Sequence, residues 1–168
     1  MYLKQFDIRW SDMDANRHLA NSSYLNFMSH TRMSFLMESG YGQKKLAQLD
    51  VGPVVFYEHV YYFREVFAGR PVQVSLQLKG ISEDGMYFEF LHDFYDHNGN
   101  NFARCEIMGS WIDLKERKLT APPAALYKHL LRLEKTEDFR TLTKADTRAQ
   151  GQRPKSPLKT SLEHQKGN

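Results

Sequence analysis

The densest collection of reactive side chains in this chain is Arg9-Trp10-Ser11-Asp12-Met13-Asp14-Ala15-Asn16-Arg17-His18-Leu19-Ala20-Asn21-Ser22-Ser23-Tyr24. Two carboxylates, one imidazole and two primary amides lie in sequence directly ahead of Tyr24, Phe27, Met28, Thr31 and Phe35. Those residues recur at three- and four-residue spacing, the period of one amphipathic helix. The first turn of a helix carries unpaired N–H groups and the positive end of the dipole, which suit an incipient oxyanion. A carboxylate held opposite that end could attack a carbonyl directly or deprotonate water, and Asp14 lies shortly ahead of the helix in sequence. Standing alone, an acid before a helix is more often a cap or a dipole partner than a catalyst. Asp12 reads as structural, either hydrogen-bonded or paired with Arg9.

The elements that must position these groups follow from periodicity. Tyr2 to Trp10 alternates with Phe6, Ile8 and Trp10 on one side, as a half-buried strand would. Asn21 or Ser22 is placed to cap the helix, and Gly40 suits the left-handed position just past its end. Val54 to Phe67 has strand composition, Val72 to Lys79 and Met86 to Tyr95 alternate, and Phe102 to Asp113 gives another strand after an Asn98-Gly99 hairpin signal. One strand, one long helix and four consecutive strands argue for an α+β domain whose antiparallel sheet packs the helix on one face. Ala124 to Leu133 suggests a short helix. Residues 1–133 are expected to form the domain. Beyond Glu134 the apolar periodicity is lost, so residues 134–168 are expected to be a disordered, dispensable, polar basic tail.

The register of the first segment resembles the signature of hotdog-fold thioesterases of the 4-hydroxybenzoyl-CoA thioesterase type. In that signature an Arg is followed by Asp-x-Asp, a short loop with His and Asn, and a Tyr opening the helix. Arg9, Asp12, Asp14, His18, Asn21 and Tyr24 match it. The resemblance covers about residues 1–122 and implies a hotdog fold, an antiparallel sheet wrapped around one long central helix. It also implies acyl-CoA-type thioester hydrolysis to free acid and thiol. Asp14 would be nucleophile or general base, with the helix N-terminus polarising the carbonyl. Substrate-binding or orienting roles fall to His18, Asn21, Ser22 and Tyr24. No cofactor and no metal is implied. One departure stands out, because many relatives place a Glu where this chain has Ser29.

Composition bounds the rest. The 168 residues are 41% hydrophobic, 13% aromatic and 26% charged, with a net charge of +3, which suits one globular domain with an aromatic core. Residues 1–133 carry 15 Lys/Arg against 15 Asp/Glu, so the excess lies in the tail and no nucleic-acid partner is expected. No apolar run approaches the roughly 20 residues of a bilayer span, no signal-peptide core opens the chain, and Cys105 is the one cysteine. A cytoplasmic location is the expectation. Nucleophile-elbow, zinc-helix and phosphate-loop motifs are missing, and His92 and His97 read as ordinary hairpin histidines. Three other readings remain open: hydration or dehydration of an acyl thioester on the same fold, a non-catalytic protein binding an acyl thioester or a protein partner, and a tail that contacts nucleic acid or an acidic membrane surface. One sheet on one helix leaves edges and aromatic surface for a second copy, so a homodimer or larger is expected. The resemblance places the active site at its subunit interface.

Overall fold

The computed structural model describes residues 1–156. Its strands are β1 (Tyr2–Phe6), β2 (Val51–Tyr62), β3 (Val72–Ile81), β4 (Tyr87–Tyr95), β5 (Asn101–Asp113), β6 (Leu119–Thr120) and β7 (Lys135–Thr141). The α-helices are α1 (Asn21–Glu38), α2 (Gln43–Gln48) and α3 (Ala124–Leu130). Five strands pair antiparallel in the order β1-β3-β4-β5-β2. Alternation aims Val72, Val74, Leu76 and Leu78 of β3, and Phe88, Phe90 and Phe94 of β4, at the face that receives α1. Helix α1 answers with Tyr24, Phe27 and Met28 at one end and Leu36 at the other. This is the hotdog arrangement, an α+β domain with the sheet around one long helix.

Two core clusters share that face. Phe27, Phe94 and Phe102 belong to the one near the start of α1, and Phe88, Phe90 and Trp111 to the other. A polar layer lies between Phe90 and Phe94 on β4, where His92 is 0% exposed. Its Nδ1 lies 2.6 Å from the Ser75 carbonyl oxygen and its Nε2 3.2 Å from an Arg32 guanidinium nitrogen. With Nδ1 donating, Nε2 accepts from Arg32 and the neutral ring satisfies both contacts. Arg32 also donates to Ser29 Oγ at 3.0 Å and to Glu58 on β2 at 3.4 Å. Nothing in the residue pattern separates His92 from other strand histidines, because burial depends on which strands flank it.

Three expectations are corrected. β1 stops at Phe6, and Trp10 is 92% exposed in a 3-10 turn over Trp10–Asp12, because Arg9 N–H turns back to the Asp12 carboxylate at 2.8 Å. Asn21 is the first helical residue rather than the cap. Ala20 holds that position without a side-chain bond, and Asn21 Oδ1 accepts Ser22 N–H at 2.9 Å. The C-terminal end of α1 follows the reading, with Gly40 at φ +82°.

The third correction concerns the tail. Residues 135–141 form β7, parallel to the part of β3 that β1 leaves free: β1 pairs with Val72–Leu76, and β7 with Leu78, Gly80 and Ile81. Leu142 follows at 2% exposure and donates its N–H to Ile81 O at 3.0 Å. A Cβ on Gly80 would sit 2.8 Å from a Leu142 methyl, so Gly80 makes room for this closure. On the outer sheet face Arg140 lies 3.0 Å from the buried Glu89 carboxylate, and Lys79 joins Glu106 to Asp138. Backbone bonds, ion pairs and the single ring of Phe139 against the core hold β7, with no apolar stripe for periodicity to find. Residues 157–168, the remainder of the expected tail, lie outside the described residues.

Deleting everything after Leu133 therefore removes structure. A melting temperature at least about 5 °C lower is expected by calorimetry, and Leu142→Ala alone should cost about 2–3 kcal/mol. An unchanged melt would show that β7 contributes nothing. The polar layer predicts a pH dependence. Burial, reinforced by the Arg32 charge, pushes the His92 imidazole from 6.5 down to about 3. The unfolded chain takes up a proton that the folded one refuses, so this contribution is intact above about pH 6.5. It is lost as pH falls toward 3, by at most about 1.4 kcal/mol per unit. Thermal melts should fall more steeply with acid for wild type than for His92→Gln, and parallel curves would contradict this role.

Candidate active site

The site is built on a clasp. Asp12 is 4% exposed, and its carboxylate accepts from Arg9 N–H at 2.8 Å, Arg9 Nε at 3.1 Å and Arg9 Nη2 at 3.0 Å. The guanidinium holds the Asp12 carboxyl below the usual carboxylate range. The Asp12 carbonyl accepts twice more, from Ala20 N–H and from Ser23 Oγ, each at 2.9 Å. One residue thus ties the end of the first segment to the first turn of α1. The pairing expected between Asp12 and Arg9 is present.

Between the two tied ends the chain loops out through residues 13–19. Met13 bridges Leu19, Arg17 takes φ +65°, and Leu19 N–H bonds to Val66 O at 2.8 Å. Asp14 sits on this loop, exposed. Its Oδ1 accepts from Asn16 N–H at 2.8 Å and His18 N–H at 3.1 Å. These bonds fix the carboxylate against its own loop, as Asx turns do. No described residue donates to Oδ2.

Asp14, His18, Asn21 and Tyr24 line one open cleft of about 400 Å³, closed on its far side by Tyr62, Arg64 and Glu65 from the end of β2 and the residues after it. Of the five residues that sequence nominated, Ser22 alone does not line it. Its N–H is engaged by Asn21 Oδ1, and Ser23 N–H bonds to Ala20 O at 2.9 Å. His18 Nε2 lies 3.6 Å from Glu65, and its ring meets Phe67 edge-on at 5.1 Å. Tyr24 is packed by Tyr62, Phe94 and Phe102. Burial first, then Tyr62 and Asp14, push its phenol up to about 12, so Tyr24 stays a neutral hydrogen-bonding group.

Sequence reasoning missed the far wall. Tyr62, Arg64 and Glu65 were read as part of one long strand, and only the pairing of β2 with β5 shows which of its residues return to the helix start. It also missed a second cavity, of about 240 Å³, between the later turns of α1 and the sheet. Ser29, Arg32, Pro53 and Val55 lie on its α1 and β2 sides, and Phe88 and Trp111 are among the rings within. Cys105 lies near Arg32 and Glu58, with burial raising its thiol to about 12, which leaves no thiolate for chemistry.

No helix among the described residues is long and apolar enough to cross a membrane. No curated protein matches the sequence significantly. Solved structures match the fold. A hypothetical protein from Staphylococcus aureus, solved in complex with CoA, superposes at TM-score 0.73 with 18% identity over 93% of this chain and 95% of the other. A 1,4-dihydroxy-2-naphthoyl-CoA thioesterase from Synechocystis gives 0.70, with 15% identity over 79% and 96%. A probable thioesterase from Escherichia coli gives 0.67, with 21% identity over 79% and 98%. Residues 8–130, which hold the clasp, the Asp14 loop, α1 and strands β2 to β6, match the family model of the thioesterase-like superfamily, and the chain belongs to that superfamily.

Proposed function

We propose that this protein hydrolyses an acyl-CoA-type thioester to the free acid and the thiol, with Asp14 as nucleophile or general base. The observation that carries this reading is the Asp14 carboxylate itself. One oxygen is fixed by two backbone N–H groups and the other has no donor among the described residues, in a cleft shared with the first turn of α1. The thioester carbonyl oxygen is set against the N-terminal turn of α1, gaining the dipole end of an eighteen-residue helix. Asp14 Oδ2 then removes a proton from water that attacks the carbonyl carbon, or attacks that carbon itself. In either route the C–S bond breaks, the thiolate leaves, and water supplies the oxygen of the product acid. His18 and Asn21 orient the water and the carbonyl, and Arg64 at the rim gives the phosphates of CoA a cation. The CoA found with the Staphylococcus aureus relative supports this substrate class.

The reading includes a second copy of the chain. β2 is an edge strand of twelve residues with exposed Val55, Phe56, Tyr61 and Tyr62, a surface prone to pair with another strand. Antiparallel pairing of two β2 edges about a two-fold axis brings Pro53 and Val55, beside the apolar cavity, toward the Tyr62 end of the other copy, beside its Asp14 cleft. The acyl group then enters the cavity of one chain while the carbonyl meets Asp14 of the other. Light scattering at micromolar concentration should report a dimer or larger, and a charge placed in the edge, as in Val55→Lys, should shift it toward monomer with loss of hydrolysis. A fully active monomer would contradict the composite site.

Asp14→Asn keeps size and most hydrogen bonds but removes charge and basicity. Turnover of acyl-CoA substrates should fall by about two orders of magnitude or more with little change in binding. Asp12→Asn should act mainly through the melting temperature. Ser29 bonds to Arg32 rather than facing the Asp14 cleft, so Ser29→Ala should cost less than about tenfold. Wild-type turnover by Asp14→Asn would overturn the mechanism. Tight acyl-CoA binding with no hydrolysis by wild type would instead favour the non-catalytic protein, the reading that Ser29 at the usual Glu position supports.

A further inference from the structure

The sheet face turned away from α1 carries a groove of about 590 Å³, within the size range of small-molecule sites. On β2 the side chains of Tyr57 and His59 point outward into it, while Glu58 between them points inward to Arg32. The two outward rings stack, with centroids 4.8 Å apart and 23° between their planes, and Tyr87 of β4 joins them along the floor. The register of β2 on β5 shifts between Val55 and Tyr57, a bulge that leaves Phe56 without a partner at the rim, 39% exposed. Opposite this floor lies the segment that follows β7. Its 3-10 turn, Asp146–Arg148, is pinned by the Asp146 carboxylate, which accepts from Thr143 N–H at 2.7 Å and from Thr143 Oγ1 at 2.8 Å, and Lys144 and Arg148 form the groove wall there.

Charge separates this groove from the rest of the outer face. Glu89 and Glu106, the acids next to its floor, are already met by Arg140 and Lys79, and Asp146 is spent on Thr143 and Arg140. Among the described residues no carboxylate pairs with Lys144 or Arg148 and no Asp or Glu lines the groove. The stretch from Thr147 to Ser156 adds Arg153 and Lys155 to Arg148 and holds no acid. Two unpaired cations above a stacked ring pair fit a ligand with a planar ring at one end and phosphate at the other. Guanidinium and ammonium groups bind phosphate oxygens, and aromatic faces stack on a nucleobase. We propose that this groove is a second binding site, for a free nucleoside phosphate, with the base on Tyr57 and His59 and the phosphates on Lys144 and Arg148. A plain anion has no use for the rings, and a plain apolar ligand leaves both cations unmatched. The sheet separates the groove from Arg64, where the phosphates of CoA sit in the thioester reading, so binding here does not depend on that reading.

Isothermal titration of the full-length protein tests this with ATP, adenosine, tripolyphosphate and CoA. ATP is a fair probe because stacking tolerates any base. It should bind, with adenosine and tripolyphosphate each weaker by about tenfold or more, since each keeps only one end of the contacts. Lys144→Gln combined with Arg148→Gln changes two exposed side chains outside the core and should weaken ATP by about tenfold or more. His59→Leu should weaken ATP and adenosine but not tripolyphosphate, which separates stacking from charge. Arg64→Gln, at the rim of the Asp14 cleft, should leave ATP binding unchanged. No ATP binding at millimolar concentration overturns the proposal. So does tripolyphosphate that binds as tightly as ATP, which reduces the groove to a general anion site, or ATP binding that is lost in Arg64→Gln and kept in the double variant. CoA that loses affinity in the double variant while ATP does not bind gives the groove to the nucleotide end of a CoA thioester and also overturns it. Each of these results leaves thioester hydrolysis to be decided by turnover, which no step of the titration uses.

Discussion

The buried carboxylate of Asp12 is the contact on which the geometry of the cleft depends. It gathers three donors from Arg9, while its own carbonyl binds Ala20 and Ser23, so the entry to the loop and the entry to α1 are set by one residue. Because Asp12 is buried and Arg9 is exposed at the rim, the pair is more than a surface ion pair of small worth. Its backbone contacts survive salt that would screen the guanidinium. With both ends fixed, residues 13–19 have little freedom, and Asp14 is presented at the helix start by local hydrogen bonds rather than by packing. A carboxylate held this way keeps its exposure and its orientation together, which a chemical role requires.

Deeper in the domain a different constraint operates. The Arg32 side chain would be a liability between two aromatic clusters were it not met by Ser29, Glu58 and the neutral ring of His92. That layer couples α1, β2 and β4 through directional bonds where Phe and Leu packing would tolerate sliding. Its position separates the polar cleft at the Asp14 end of α1 from the apolar cavity beyond it. In the proposed dimer those unlike sites meet across the two-fold axis, one from each chain.

The sequence made much of this legible where chemistry and periodicity coincide. The spacing from Arg9 to Tyr24 singled out Asp14, and the structure brings it together with His18, Asn21 and Tyr24, although Ser22 is set apart by its bond to Asn21. Helix α1, the Asn98-Gly99 turn and the run of strands from β2 to β5 were readable because each carries a repeating pattern or a turn residue. β7 was not, since Lys135–Thr141 is held by an edge of β3 and by charges on another strand, and its one core-packed ring, Phe139, is too little to set a period. Helix α2 was too short to show a period, and Leu46 is its only buried side chain. The Arg32 layer and the Tyr62 wall are products of strand register, which a single sequence does not state.

The thioester reading stands or falls on turnover by the purified protein. Release of free CoA thiol should be followed across acyl chain lengths, with aryl-CoA substrates included and with no metal or cofactor added. The account predicts that at least one substrate is cleaved with kcat/KM of about 10⁴ M⁻¹ s⁻¹ or more, the lower range of ordinary enzymes. Binding of these thioesters with no thiol released from any of them would contradict it.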